Sequence, residues 1–140
     1  MPAGYSRRRL VEKLDLKPGT RAHLRGAPAD YLDLLGPLPE GVVLRSTLRT
    51  PVDFIQAFYD SQRRLARDLP VLRDGLIPGG SLWISWPKKA SGVATDITED
   101  VVRELALANG LVDVKVCAVD DTWSGLKLMY RRADRERMAR

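Results

Sequence analysis

Between Ser81 and Lys127 the chain sets out a strand, a capped helix and two further strands in direct succession, and that order constrains the fold more than any other feature. SLWISWP is a run of β-branched and aromatic residues entered through Pro78-Gly79-Gly80, so LIPGGSLWISWP reads as a helix end, a turn and a central strand. In DITEDVVRELALANG, Asp96 is expected to be the N-cap, with Glu99 three residues on in a capping-box arrangement and Asn109-Gly110 as the stop. Ile97, Val101, Leu105 and Ala108 are the expected buried face of that helix. Val112, Val114, Val116 and Ala118 then alternate with more polar neighbours, DDTWSG turns the chain, and Leu126, Leu128 and Tyr130 alternate again. The ending is a β-hairpin.

The preceding residues supply smaller elements of the same kinds. Leu10, Val11 and Leu14 lie at helical spacing behind Arg7, Arg8 and Arg9, which predicts an amphipathic helix from Ser6 to Leu14, stopped by Lys17-Pro18-Gly19. RAHLRGAP alternates as a strand, Asp30 to Leu35 forms a short helical turn closed by Gly36-Pro37, and Gly41 to Ser46 reads as a second strand. Val52 to Tyr59 is a third strand, after which Asp60 is expected to cap a helix carrying Leu65, Leu69, Leu72 and Leu76. Pro70 should kink that helix, because it has no N–H for the helical ladder. ADRERMAR at the end reads as a charged, fraying tail, which gives one domain over 1–132 and a tail over 133–140.

Composition narrows the function classes. A chain of 140 residues suits one hydrophobic core, and 44% hydrophobic with 29% charged residues is ordinary for a globular domain. The formal charge is +5, but Arg supplies most of the 23 basic residues and is scattered rather than striped, so a nucleic-acid partner is disfavoured. Cys117 is the sole cysteine, which excludes an intrachain disulfide and a cysteine metal cluster and points to a reducing cytoplasm. No run approaches the ~18 apolar residues of a membrane span, and MPAGYSRRRLVEKL has charges where a signal peptide needs its apolar centre.

Single strands alternating with helices, then a hairpin, imply an α/β domain of Rossmann-like form: a mostly parallel sheet, helices on both faces and a C-terminal antiparallel pair. This order, with a leucine-ended helix running into PGGSLWIS, resembles the sheet of class I methyltransferases. The phrases LKPGTR, LLGPLPEGV, WPKKASG, TDITEDVVRE and GLVDVKVCAVDDTWSGLKL also resemble those of a small bacterial family known as a domain of unknown function. That second resemblance implies no reaction, cofactor or catalytic residue.

The methyltransferase resemblance implies a glycine-rich turn after the first strand and an acidic residue ending the second. Here the first turn is RGAPADY, with Gly26 alone and Pro28 lacking an N–H, and the second strand ends in Arg45-Ser46. The expectation is therefore a chain with no cofactor, S-adenosylmethionine included. His23 is expected to be a sheet histidine rather than a general base, and Cys117 a small apolar filler. No Walker A, HExxH, Cys-x-x-Cys or G-x-S-x-G pattern occurs.

Ligands in open α/β sheets bind beyond the carboxyl ends of the strands. An antiparallel last strand would begin at that same edge, which predicts that WPKKASG and DDTWSG are neighbours. The candidate site is Trp86, Lys88, Lys89, Ser91, Thr95, Asp121, Trp123 and Ser124: lysines for an anionic group, hydroxyls as donors, indoles as stacking walls. The alternative is structural, with Lys88 and Lys89 paired to Asp120 and Asp121 and the tryptophans filling the rim. The expected function is a non-catalytic module binding a small anionic ligand or a protein partner. A small group-transfer enzyme using the same edge is the second reading, and nucleic-acid binding through Arg7 to Arg9 the third. Self-association through an open sheet edge fits any of them.

Overall fold

Val52 to Tyr59 and Leu82 to Pro87 carry apolar residues toward both faces, broken only by Asp53, Gln56 and Ser85, a pattern that suits the interior of a covered sheet. The computed structural model, which describes residues 9–138, places both runs there. Its six strands are β1 (Arg21–Arg25), β2 (Val43–Leu44), β3 (Val52–Phe58), β4 (Leu76–Pro87), β5 (Leu111–Ala118) and β6 (Trp123–Tyr130), in the order β2-β1-β3-β4-β6-β5. The first four pair in parallel, and β6 is antiparallel to both of its neighbours, β4 and β5.

Helices cover both faces, as the alternation requires. On one side, α3 (Gln62–Asp74) and α4 (Glu99–Ala108) bring Leu65, Leu69, Leu72, Val102 and Ala106 onto Ile55, Leu82, Ile84, Leu126 and Leu128. On the other, α1 (Leu10–Lys13) and α2 (Tyr31–Leu35) bring Val11, Tyr31 and Leu35 onto Phe54, Phe58 and Trp83. The Trp83 indole N–H donates to the Leu14 carbonyl at 3.0 Å, so a fully buried aromatic also ties α1 to the sheet. The expected first helix begins on residues outside the described ones, and its described part is the single turn of α1. A closing helix, α5 (Arg132–Met138), buries none of its residues.

Several expectations change at the element ends. The N-cap of α4 is Thr98, whose hydroxyl accepts from the Val101 N–H at 3.2 Å, not Asp96. Asp96 instead accepts from the Gln62 N–H at 2.7 Å and so serves the start of α3, whose own N-cap is Ser61 rather than Asp60. The buried face of α4 is Val102 and Ala106 with Leu105 partly covered, one residue round from the expected stripe of Val101, Leu105 and Ala108. Pro70 sits within a continuous α3: packing of Leu69 and Leu72, and the Tyr130 hydroxyl donated to the Arg73 carbonyl, hold the last turn across the missing N–H.

Leu76 belongs to β4, and Pro78-Gly79-Gly80 lies inside that strand as a bulge rather than before it as a turn. The register passes from Val52 opposite Leu76 to Phe54 opposite Ser81. A side chain at Gly80 would lie 2.8 Å from the Asp53 carbonyl oxygen, so the bulge needs a glycine there. Edge positions also shorten or re-aim the outer strands. β2 keeps two of the six expected residues, and a bulge between Asp113 and Lys115 leaves Val114 and Val116 about half exposed, at 49% and 52%.

Candidate functional site

The carboxyl ends of β1, β3 and β4 and the start of β6 form one rim. β1 leaves the sheet at Gly26, which has φ +68 and sits so close to the end of β3 that an added Cβ would meet the Phe58 carbonyl oxygen at 2.9 Å. Only glycine suits both the left-handed backbone and the approach. The turn delivers α2 onto the rim, where the Tyr31 ring meets Phe58 edge-on at 4.8 Å between centroids. Phe58 in turn meets Trp123 edge-on at 5.1 Å.

A buried polar chain runs beneath these rings. The Tyr31 hydroxyl donates to Gln56 Oε1, and Gln56 Nε2 donates to Ser85 Oγ at 3.2 Å. All three residues are buried, and burial pushes the Tyr31 hydroxyl well above its ordinary pKa, so it stays a neutral donor. Beside it, the Tyr59 hydroxyl donates to Asp68 at 2.8 Å. Sequence reasoning missed this chain, although Gln56 in VDFIQAFY and Ser85 in LWISW are polar interruptions of apolar runs and were its visible signal.

The two predicted loops do meet. Pro87 pairs with Trp123 and Trp86 with Ser124 across β4 and β6, and the Lys88 N–H donates to the Thr122 carbonyl at 2.7 Å. Asp120 makes the turn by accepting from the backbone N–H groups of Thr122 and Trp123, at 2.9 and 2.7 Å. Lys88 and Lys89 make no ion pair with Asp120 or Asp121 among the described residues: the eleven ion pairs present lie elsewhere. Lys89 and Asp121 are exposed, and Lys88, Trp123 and Ser124 are half-buried on the rim.

Other candidates are occupied. Trp86 is 6% exposed and packs under α3 and α4, offering little stacking area. The Ser91 hydroxyl donates to the Lys88 carbonyl at 2.6 Å and accepts from the Val93 N–H at 3.1 Å. Thr95 donates to the Asp60 carbonyl at 2.7 Å and accepts from the Ile97 N–H at 3.1 Å, so both hydroxyls shape the loop after β4. His23 is 3% exposed in mid-strand, with its Nδ1 donating to the Arg45 carbonyl at 2.8 Å. Cys117 is half-buried, and burial raises its thiol pKa, which disfavours the reactive thiolate. No group of three potential metal ligands gathers among the described residues. None of their helices is long and apolar enough to cross a membrane.

Solved structures of methyltransferases superpose on this sheet. A SAM-dependent methyltransferase from Aquifex aeolicus is 17% identical, with TM-score 0.58 over 87% of this chain and 88% of that one. The magnesium protoporphyrin IX methyltransferase of Synechocystis PCC 6803, with bound SAH, is 12% identical, with TM-score 0.55 over 87% of this chain and 78% of that one. The ribosomal protein L11 methylase of Lactobacillus delbrueckii subsp. bulgaricus is 13% identical, with TM-score 0.55 over 88% and 76%. No family model and no curated protein matches the chain.

The Rossmann-like, methyltransferase-type fold is thereby established. Two expectations are corrected by the same finding. A non-catalytic module with no cofactor was inferred from the missing glycine loop, yet the proteins that share this sheet are methyltransferases, crystallised with SAH in one case and with SAM in others. The turn at Gly26 and the end of β2 are single features, whereas the rim is assembled from four strands, so neither departure alone decides what it binds.

Proposed function

We propose that the chain is a small methyltransferase-like group-transfer protein that takes S-adenosylmethionine at the rim formed by β1, β3, β4 and β6. The observation that carries this reading is the superposition of the whole sheet, with β6 reversed, on methyltransferases of known structure. The donor set at the rim suits a zwitterionic nucleoside: Lys88 and Lys89, which have no ion pair among the described residues, for a carboxylate, Asp121 for an ammonium group, Trp123 for a base. Gly26 allows close approach of the backbone, and the Tyr31–Gln56–Ser85 chain fixes α2 beneath it. Bound there, S-adenosylmethionine supplies an electrophilic methyl group for transfer. The chain departs from the usual pattern at the end of β2, where Arg45 and Ser46 stand in place of a carboxylate. Any nucleoside is therefore gripped from the β3, β4 and β6 side.

The test is calorimetric titration with S-adenosylmethionine and with its demethylated product, S-adenosylhomocysteine. Saturable binding in the micromolar range is expected, weakened about tenfold by Lys88→Ala with Lys89→Ala through loss of the charge-assisted contacts. Heats indistinguishable from dilution for both compounds would sink the proposal.

The lone, unpaired Cys117 supports a reducing cytoplasmic setting. The open β5 edge, with Val114 and Val116 outward, supports self-association, which sedimentation velocity over a concentration series tests.

A further inference from the structure

We propose that the connector between β2 and β3 is a binding site for a phosphate-class anion, separate from the rim and independent of the cofactor reading. The connector borders an open depression of about 380 Å³ lined by the exposed residues Leu44, Arg45, Ser46, Thr47, Arg49 and Thr50. Two arginines and three hydroxyl-bearing residues thus border one space, with no carboxylate residue among them. Several other arginines among the described residues are paired with carboxylates: Arg21 with Asp53, Arg67 with Asp68, Arg73 with Asp74, and Arg103 with Glu99, Asp100 and Asp113. The side chains of Arg45 and Arg49 have no ion pair or hydrogen bond among the described residues, and neither do the hydroxyls of Ser46, Thr47 and Thr50. Like charges held four positions apart on one short loop repel, and a counter-anion relieves that repulsion.

The loop is built to hold its shape. At its start the Arg45 N–H donates to the Ala22 carbonyl at 2.7 Å, and the Arg45 carbonyl accepts from Nδ1 of the buried His23 at 2.8 Å. At its end the Val52 N–H donates to the Gly75 carbonyl at 2.9 Å. Between these anchors Leu48 packs against the core so closely that a Cβ on Gly75 would lie 2.8 Å from its Cδ1. A carbonyl only accepts, so His23 carries its proton on Nδ1, and its buried Nε2 meets no partner among the described residues. The imidazole is a positioning residue that pins the Arg45 backbone and leaves the guanidinium outward.

Guanidinium forks match the oxygen spacing of a phosphate, and hydroxyls supply the remaining donors a tetrahedral anion accepts. β2 ends opposite Ala22, well before β1 ends at Arg25, so the depression opens on the outer flank of the sheet and not over the rim. Its walls carry no aromatic ring, which a single-stranded nucleic acid would need as a stacking platform. A small phosphate-bearing molecule therefore fits better than a polymer. Free pyrophosphate and the phosphates of a nucleotide present the same chemistry.

The test is calorimetric titration of the full chain with inorganic pyrophosphate and, separately, with ADP, at ionic strength held constant with chloride. One-site binding is expected, weakened about tenfold or more by Arg45→Gln with Arg49→Gln and partly kept by Arg45→Lys. Circular dichroism of each variant confirms that the exposed substitutions leave the fold intact. Equal affinities assign a free phosphate group as the ligand, and tighter ADP binding assigns a nucleotide. Absence of saturable binding to both, or an unchanged affinity in the double glutamine variant, overturns the site. So does tighter, steeply salt-dependent binding of a short single-stranded oligonucleotide. S-adenosylmethionine binding unaltered by the double variant separates this depression from the rim, and loss of only one of the two affinities shows which reading has failed.

Discussion

Gly26 and Gln56 do the most for the rim with the fewest atoms. At Gly26 an alanine would combine a strained positive φ with a contact to the Phe58 carbonyl that must open. Gly26→Ala is expected to cost about 1–3 kcal/mol in urea denaturation and to disturb the placement of Tyr31. Gln56 joins Tyr31 to Ser85, so Gln56→Leu strands a buried hydroxyl at each end. A loss of about 1–3 kcal/mol is expected, and a near-neutral result would show that the two hydroxyls find other partners. Gln56 and Ser85 are visible in the sequence as polar residues in apolar strands. Tyr31 is not, because its hydroxyl reaches them only when α2 is laid across β3.

The helices show how far local patterns extend. TDITED offers two oxygen-bearing caps, Asp96 and Thr98, at the start of one helix. The existence of α4 is legible from that stretch, but the choice of cap is not, since the N-terminus of α3 lies within reach and takes Asp96. Thr98→Ala is therefore expected to destabilise by about 1 kcal/mol through α4. Asp96→Ala should instead raise amide hydrogen exchange in the first turn of α3; exchange raised only in α4 would contradict this assignment. Pro70 makes a similar point, because a residue that disfavours a helix interior is held there by burial of its neighbours.

Across the whole molecule, ion pairs hold the two faces and the sheet ends together. Asp15 accepts from Lys115 and Lys127, at 2.9 and 3.0 Å, and so joins the end of α1 to the hairpin. Burial alone would raise its carboxyl pKa, but the two lysines outweigh that and hold it below the ordinary value. Asp53 is lowered chiefly by its hydrogen bonds with Arg21, which link β3 to β1. Both carboxyls thus release their protons more readily in the folded state. Their stabilisation is present above the unfolded value near pH 4 and is lost as pH falls through the lower folded values. Thermal melts from pH 6 to about 2 should show this loss, and Asp53→Asn should flatten it; an unchanged acid limb would contradict the linkage. Lys88→Ala with Lys89→Ala should leave stability within about half a kcal/mol, because neither side chain has an ion pair among the described residues.

The layered α/β architecture, the reversed last strand and the meeting of WPKKASG with DDTWSG are legible in the residue pattern alone. Those follow from short-range periodicity and from the direction in which each strand must run. Three-dimensional packing settles which polar side chains are already spent: Ser91 and Thr95 on their own loop and Asp96 on a neighbouring helix, with Trp86 in the core, while the Lys88 and Lys89 side chains make no ion pair among the described residues. Hydrogen bonds and ion pairs are settled by distances of about 3 Å between segments remote along the chain, and periodicity carries no information at that range.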